Sequence, residues 1–181
     1  MMVYTIGHST RSLDAFVLLL KAHAVTRLAD VRSVPSSRRH PHFGADRLAR
    51  SLPAEGVAYR HFPGLGGLRT PRPDSPNAAW RHEGFRGYAD HMDTAEFDRE
   101  LDELLAFSTA QVASGVGDPR VVIMCAEAVW WHCHRQLVAD ALLARGIEVR
   151  HIMSEKSAPS HVLTDFAKIC GRKVSYRGLL C

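Results

Sequence analysis

Between Cys125 and Arg135 the chain places two thiols, one carboxylate, two imidazoles, two indoles and a guanidinium. Those side-chain types suit nucleophilic, acid–base or metal chemistry. Cys125 follows the apolar run VVIM and precedes a helix-like segment. A thiol in such a place meets backbone N–H groups and positive potential, which favour thiolate, so Cys125 is a candidate nucleophile. The competing reading is a buried strand-end cysteine that packs as a small hydrophobe. Glu127 is the only acid in the stretch. Near a thiol or imidazole in a shielded site it would serve as a general acid or base; the plainer alternative is a carboxylate paired structurally with Arg135 or Arg32. His134, and His8 from the N-terminal segment, complete the candidate catalytic set.

The elements that must carry these groups alternate between strand and helix. Met2 to Ile6 reads as a strand ending at Gly7-His8-Ser9-Thr10, and Ser12 can cap a helix with an apolar stripe at Leu13, Phe16, Val17 and Leu20. Leu28 to Val31 is a second strand, so these pieces form a right-handed βαβ unit with parallel strands. A loop from Pro35 to Phe43 leads to a short helix, Asp46 to Leu52, broken at Pro53, and to a strand from Val57 to Phe62. Gly67 to Gly84, rich in Pro and Arg, reads as a long loop. One or two helical turns are expected over Phe85 to Met92. Asp93 to Glu96 resembles a capping box, opening a helix with Phe97, Leu101, Leu104, Leu105 and Val112 on one face and punctuation at Ser114 to Asp118. Val121 to Met124 is a strand, Gln136 to Arg145 a helix closed by Gly146, and Glu148 to Met153 a last parallel strand.

This pattern predicts a single α/β domain, a mainly parallel sheet flanked by helices over residues 1–153, followed by a basic tail over 154–181. Loops leaving the carboxyl ends of parallel strands are where such folds bind ligands. His8, Arg32 and Cys125 are therefore expected to share one rim.

Arg32, Arg38, Arg39 and Arg135, with Ser9, Asp30 and Trp131, suggest how an anionic substrate would be held. Arginine suits bidentate phosphate or carboxylate recognition. An indole offers a face for a base, including one extruded into a pocket. Asp30 could orient an imidazole as a carboxylate orients a catalytic histidine. The plainer alternative is that Ser9 and Asp30 cap turns. Cys125, Cys133, His132, His134 and His8 also invite a metal reading, with His8, Cys125 and His134 converging from strand ends. Zinc ligands usually come in pairs a few residues apart, and adjacent Cys133 and His134 are poorly spaced to chelate one ion from a helix. No metal and no cofactor are therefore expected.

The chain has 181 residues, 46% hydrophobic and 23% charged, with a net charge of +4. That balance fits one globular domain and tolerates a phosphate-bearing small molecule or a nucleic acid as partner. Four cysteines, two of them near the C-terminus, make no disulfide framework. No signal-peptide pattern or membrane-length apolar run is visible, so a cytoplasmic protein without a membrane partner is expected.

Several motifs together resemble a known family. YTIGHST (Tyr4 to Thr10), LADVRSVPSSRRHPHF (Leu28 to Phe43), LGGLR (Leu65 to Arg69), GFRGYADHM (Gly84 to Met92) and MCAEAVWWHCHRQLVADALL (Met124 to Leu143) are similar to the motifs of domain of unknown function 488, in family order, over roughly residues 3 to 153. The resemblance implies a compact α/β domain and no particular activity. The strand ending LADVR, and the order strand, Cys loop, Arg, helix, resemble rhodanese domains and cysteine-dependent phosphatases in part. Those folds hold the Arg nearer the Cys, in a tighter loop. The leading expectation is an enzyme acting on a phosphate-bearing substrate at a Cys/Glu/His/Arg site. The alternatives are a rhodanese- or phosphatase-like thiol enzyme with Cys125 as nucleophile, and a non-catalytic nucleic-acid binding module.

Overall fold

The computed structural model of the chain describes residues 1–36, 38–110 and 119–178. The expected helix position Val112 and the punctuation at Ser114 to Asp118 lie outside these residues, as does Cys181. Five parallel strands form the central sheet in the order β3-β2-β4-β1-β5. They are β1 (Met2–Gly7), β2 (Arg27–Asp30), β3 (Ala58–His61), β4 (Val121–Cys125) and β5 (Glu148–His151). All five residues of β4 are buried, as a run of apolar residues without polar alternation requires.

Helices fill the crossovers: α1 (Leu13–Ala22), α2 (Ala45–Ala54), α3 (Glu83–Met92), α4 (Ala95–Thr109) and α5 (Arg135–Ala144). Ser12 caps α1 by accepting from the Ala15 N–H at 3.2 Å, and Thr94 caps α4 by accepting from Phe97 N–H at 3.2 Å. After α5, Gly146 takes φ 76°, the left-handed turn that ends the helix. Two expectations were short. α2 runs through Pro53 to Ala54 rather than breaking there, and α3 is ten residues long, capped by the His82 side chain. Proline tolerates helical φ, and its missing N–H takes only one bond from the final turn.

The chain leaves β1 and β2 toward the β3 edge, and leaves β3 and β4 toward the β5 edge. With right-handed crossovers these opposite moves must put their helices on opposite faces. The core divides in that way. Phe16 and Leu20 of α1 and Leu48 and Leu52 of α2 pack with Tyr4, Ile6, Leu28 and Met124. Tyr88 of α3, Leu104 of α4 and Leu142 of α5 pack with Val3, Ala29 and Ile123 on the other face. Each such fully buried side chain contributes roughly 1.5–3 kcal/mol of transfer free energy. The loops after β1 and β2 lead to helices on one face and the loop after β4 to a helix on the other, so the carboxyl edge carries a topological switch point there.

The long loop between β3 and α3 is held by buried polar groups. Asp90 of α3 accepts from Arg72 N–H at 2.9 Å, Ser75 Oγ at 2.6 Å and Asn77 Nδ2 at 2.8 Å. Tyr88 Oη donates to Leu65 O at 2.8 Å. The C-terminal segment forms a hairpin of β6 (Lys168–Cys170) and β7 (Lys173–Ser175), and Ala167 and Tyr176 join the core beneath α5. Its anchor is Asp140 of α5. That buried carboxylate accepts from His161 Nε2 at 2.9 Å, Thr164 N–H at 3.0 Å, Thr164 Oγ1 at 2.7 Å and Tyr176 Oη at 2.8 Å. The chain of donors continues through His151 Nε2 to His161 Nδ1 at 3.0 Å, and from Thr5 Oγ1 to His151 Nδ1 at 2.7 Å. One set of tautomers satisfies every link.

Candidate functional site

Register brings the sequence-distant turns together. Gly7 pairs opposite Cys125 and Asp30 opposite Met124, so the loops after β1, β2 and β4 leave the sheet side by side. His8 N–H donates to Cys125 O at 3.0 Å and Ser9 N–H to Ala126 O at 2.9 Å, which extends the β1–β4 ladder into the loops. The expected common rim of His8, Arg32 and Cys125 is present.

Cys125 ends β4, and Cys133 and His134 stand just before α5. Cys125 Sγ lies 4.0 Å and Cys133 Sγ 3.6 Å from His134 Nδ1. All three atoms fall within 4.8 Å of one another. The adjacency of Cys133 and His134 does not keep them apart, because Cys133 is not helical: its backbone is extended at φ −136° and ψ 146°. His134, at φ −54° and ψ −15°, then turns its ring back beside it. The opposite ring nitrogen, Nε2, meets Val31 O at 2.9 Å. A carbonyl can only accept, so Nε2 carries a proton, and Nδ1 is the ring nitrogen that faces the sulfurs.

The two thiols differ. Arg135 Nε donates to Cys133 Sγ at 3.4 Å. The Cys125 thiol, hydrogen-bonded to Cys133, pulls Cys133 well below an ordinary thiol against the effect of burial, with help from His134 and Arg135. Cys125 is pushed up by the same bond, by burial and by the neighbouring charge. Cys133, absent from the residues picked out in the sequence as catalytic, is therefore the better thiolate of the pair. Its signal was its place immediately before α5, where N–H groups are unpaired.

Cys125, Cys133 and His134 line a cavity of about 620 Å³ whose other walls include Val34, Leu68 and Phe85. A second groove, about 520 Å³, is lined by Ser9, Thr10, Ser36, Arg39 and His40. Arg32, Val34, Ala126 and Glu127 border both. The Glu127 side chain is exposed. Arg135 bonds the Glu127 backbone carbonyl, not its carboxylate.

The remaining residues take several roles. Arg32 is buried and binds Asp30 in a fork, Nε to Oδ1 at 2.8 Å and Nη2 to Oδ2 at 2.5 Å, with a further bond to Phe43 O at 2.8 Å. Burial opposes its charge, but Asp30 outweighs burial and raises its pKa. Asp30 thus holds an arginine rather than an imidazole. Arg32 Nη1 lies 3.3 Å from His8 Nε2, while His8 Nδ1 donates to Ser9 O at 2.9 Å. Burial lowers the His8 pKa to about 4, so it is neutral, stacked on Phe43 at 4.2 Å. Ser9 carries a left-handed φ of 52°, unusual for a residue with a Cβ. Arg135 is only 1% exposed and serves as an internal strut. Arg38 and Arg39 are exposed, and only Arg39 borders the second groove. Trp130 stacks on His151 at 4.2 Å and anchors its loop, leaving the edge-on Trp131 45% exposed.

The family model for the domain of unknown function DUF488 matches residues 12–142, more than half of the chain. The chain belongs to the DUF488 family. The matched span includes β2, β4, the sulfur–imidazole cluster and most of α5. No curated protein and no solved structure matches the chain. Among the described residues no helix is long and apolar enough to cross a membrane.

Proposed function

We propose that this DUF488 protein is a cytoplasmic enzyme whose reacting centre is the Cys125–Cys133–His134 cluster. The observation that carries this reading is convergence. Side chains from the end of β4 and the start of α5 aim their reactive atoms at one point, on the wall of a cavity at the carboxyl edge of the sheet. A buried apolar packing role would not require two thiols and an imidazole nitrogen to converge within 4.8 Å. Glu127, bordering both cavities, is the group suited to carry protons to and from substrate.

The substrate in this reading carries a phosphate. Its reacting part enters the larger cavity against Val34, Leu68 and Phe85, and its anionic part lies along the groove of Ser9, Ser36 and Arg39. Arg32 and Arg135 act in this scheme as scaffolding, since each is committed to internal partners.

Competition labelling tests the proposal. Chelator-treated protein is exposed to iodoacetamide at neutral pH, with mononucleotide, inorganic phosphate or thiosulfate as competitor, and the labelled cysteine is identified by mass spectrometry. Cys133 or Cys125 should label faster than the unfolded chain, and nucleotide should slow that labelling. No labelling beyond the unfolded control, with no protection by any competitor, would overturn it. Salt-sensitive nucleic-acid binding that survives Cys125→Ser and Glu127→Ala, without labelling, would point to a binding module instead.

A further inference from the structure

We infer that the cluster is a zinc site, with Cys125 Sγ, Cys133 Sγ and His134 Nδ1 as ligands and the fourth position open to the larger cavity. This rests on the reading that the cluster is the reacting centre, and it names the cofactor of that centre.

Spacing supports it first. With Zn–S near 2.3 Å and Zn–N near 2.0–2.1 Å, the vertices of a tetrahedron holding sulfur and nitrogen are about 3.6 Å apart. The two sulfur-to-Nδ1 separations are 3.6 and 4.0 Å. The two sulfurs lie within 4.8 Å of each other, against about 3.8 Å on the same tetrahedron, so a closing of the sulfurs by up to about 1 Å would bring all three ligands onto one ion.

The surroundings match what a metal-bound imidazole needs. A ligating histidine typically gives its other N–H to a carbonyl or carboxylate, which fixes the tautomer and aims the free lone pair. Val31 O does that for His134 at 2.9 Å, inside the protein. Arg135 Nε, donating to Cys133 Sγ at 3.4 Å, supports a thiolate there. Arg135 itself is held by the Glu127 carbonyl, so the donor cannot swing off.

A divalent cation satisfies both sulfurs and the nitrogen at once, and two thiolates neutralise it. Two sulfurs with one imidazole select zinc over calcium or magnesium, which take oxygen ligands. Three protein ligands beside a cavity are the arrangement of a catalytic zinc site, whose fourth position takes water or substrate. Glu127 borders that cavity.

The test uses the full chain, untagged and purified without chelator. Elemental analysis should find one zinc per chain. Cys125 and Cys133 should be hidden from a thiol reagent until chelator is added. Competition with a chromophoric chelator should show that Cys125→Ser, Cys133→Ser and His134→Ala each weaken zinc binding by more than about 100-fold, beyond the 10–100-fold typical of losing an outer partner. In cobalt-substituted protein, sulfur-to-metal charge transfer should fall in either serine variant. Added azide should shift the visible bands, because the fourth position is open. Circular dichroism shows whether each variant is folded, and the thiol and zinc measurements on the unsubstituted chain stand without the variants.

Folded protein with no zinc, and with both thiols reactive before chelation, would overturn the zinc site. So would zinc retained at full affinity by all three variants, or a Cys125–Cys133 disulfide in place of the ion. If zinc is absent but nucleotide still protects a fast-labelling cysteine, the reacting centre stands without its metal. If labelling fails as well, both fall.

Discussion

The carbonyl oxygen of Glu127 occupies the space where a side chain on Gly7 would begin: a Cβ built on Gly7 would lie 1.8 Å from Glu127 O and 2.7 Å from its carbonyl carbon. The loop after β4 can cross the end of β1 only because position 7 has no side chain. That crossing sets where Cys125 ends and how the chain reaches Cys133.

Gly7→Ala should therefore disturb the site and the fold together. The clash is with backbone, so no rotamer change relieves it, and the cost should be about 1–3 kcal/mol or more. Urea unfolding would measure the loss. An unchanged midpoint would mean that the loop has room to move.

Gly67→Ala should separate the two effects. Its Cβ would lie 2.3 Å from His134 Nδ1 and 2.7 Å from Cγ, so the imidazole must leave its place beside the sulfurs. Gly67 has no left-handed backbone to lose and the obstacle is a side chain that can rotate, so the cost should stay within the about 1–3 kcal/mol of an overpacked site. Zinc affinity should fall sharply and the iodoacetamide reactivity of the cysteines should change. Full zinc affinity in the variant would contradict the placement of His134.

Arg32→Lys distinguishes a strut from an anion binder. Lysine keeps the charge but cannot reproduce the fork to Asp30 or the bond to Phe43 O. Stability should drop by about 1–3 kcal/mol, the cost of leaving buried polar groups short of partners. Protection of the cysteines by nucleotide should change less than in Arg39→Ala. Unaltered stability with lost protection would return Arg32 to a substrate-binding role.

Acid should loosen the C-terminal anchor. Burial, then His161 and Arg135, lower the His151 pKa from 6.5 to about 3. The unfolded chain binds this proton as pH falls through 6.5 while the folded chain does not. Stability contributed by the neutral ring is thus complete above 6.5 and lost as pH falls toward 3. One such group sets a slope of up to about 1.4 kcal/mol per pH unit. His151→Gln, which can still accept from Thr5 and donate to His161, should show a shallower slope across that window in urea titrations. An equal slope would mean that His151 is protonated alike in both states.

Much of this architecture was legible along the chain. The apolar runs of β1, β2 and β4, the caps Ser12 and Thr94, and Gly146 after α5 are local signals, written in neighbouring residues by backbone preference and by period. Parallel pairing followed from the βαβ spacing, and it placed His8, Arg32 and Cys125 at one rim. Tertiary structure alone decided what those residues do there. Asp30 and Phe43 O hold Arg32, burial against Phe43 keeps His8 neutral, and Ser9 O takes its Nδ1 proton, because burial forces polar groups to find partners that sequence spacing does not name. Cys133 joined Cys125 and His134 through its extended backbone just before α5, a torsion that residue types alone do not name. Residue types set which chemistry was available. Three-dimensional neighbours chose which side chains were left to perform it, because a hydrogen bond or a ligand position depends on distances that only the folded chain establishes.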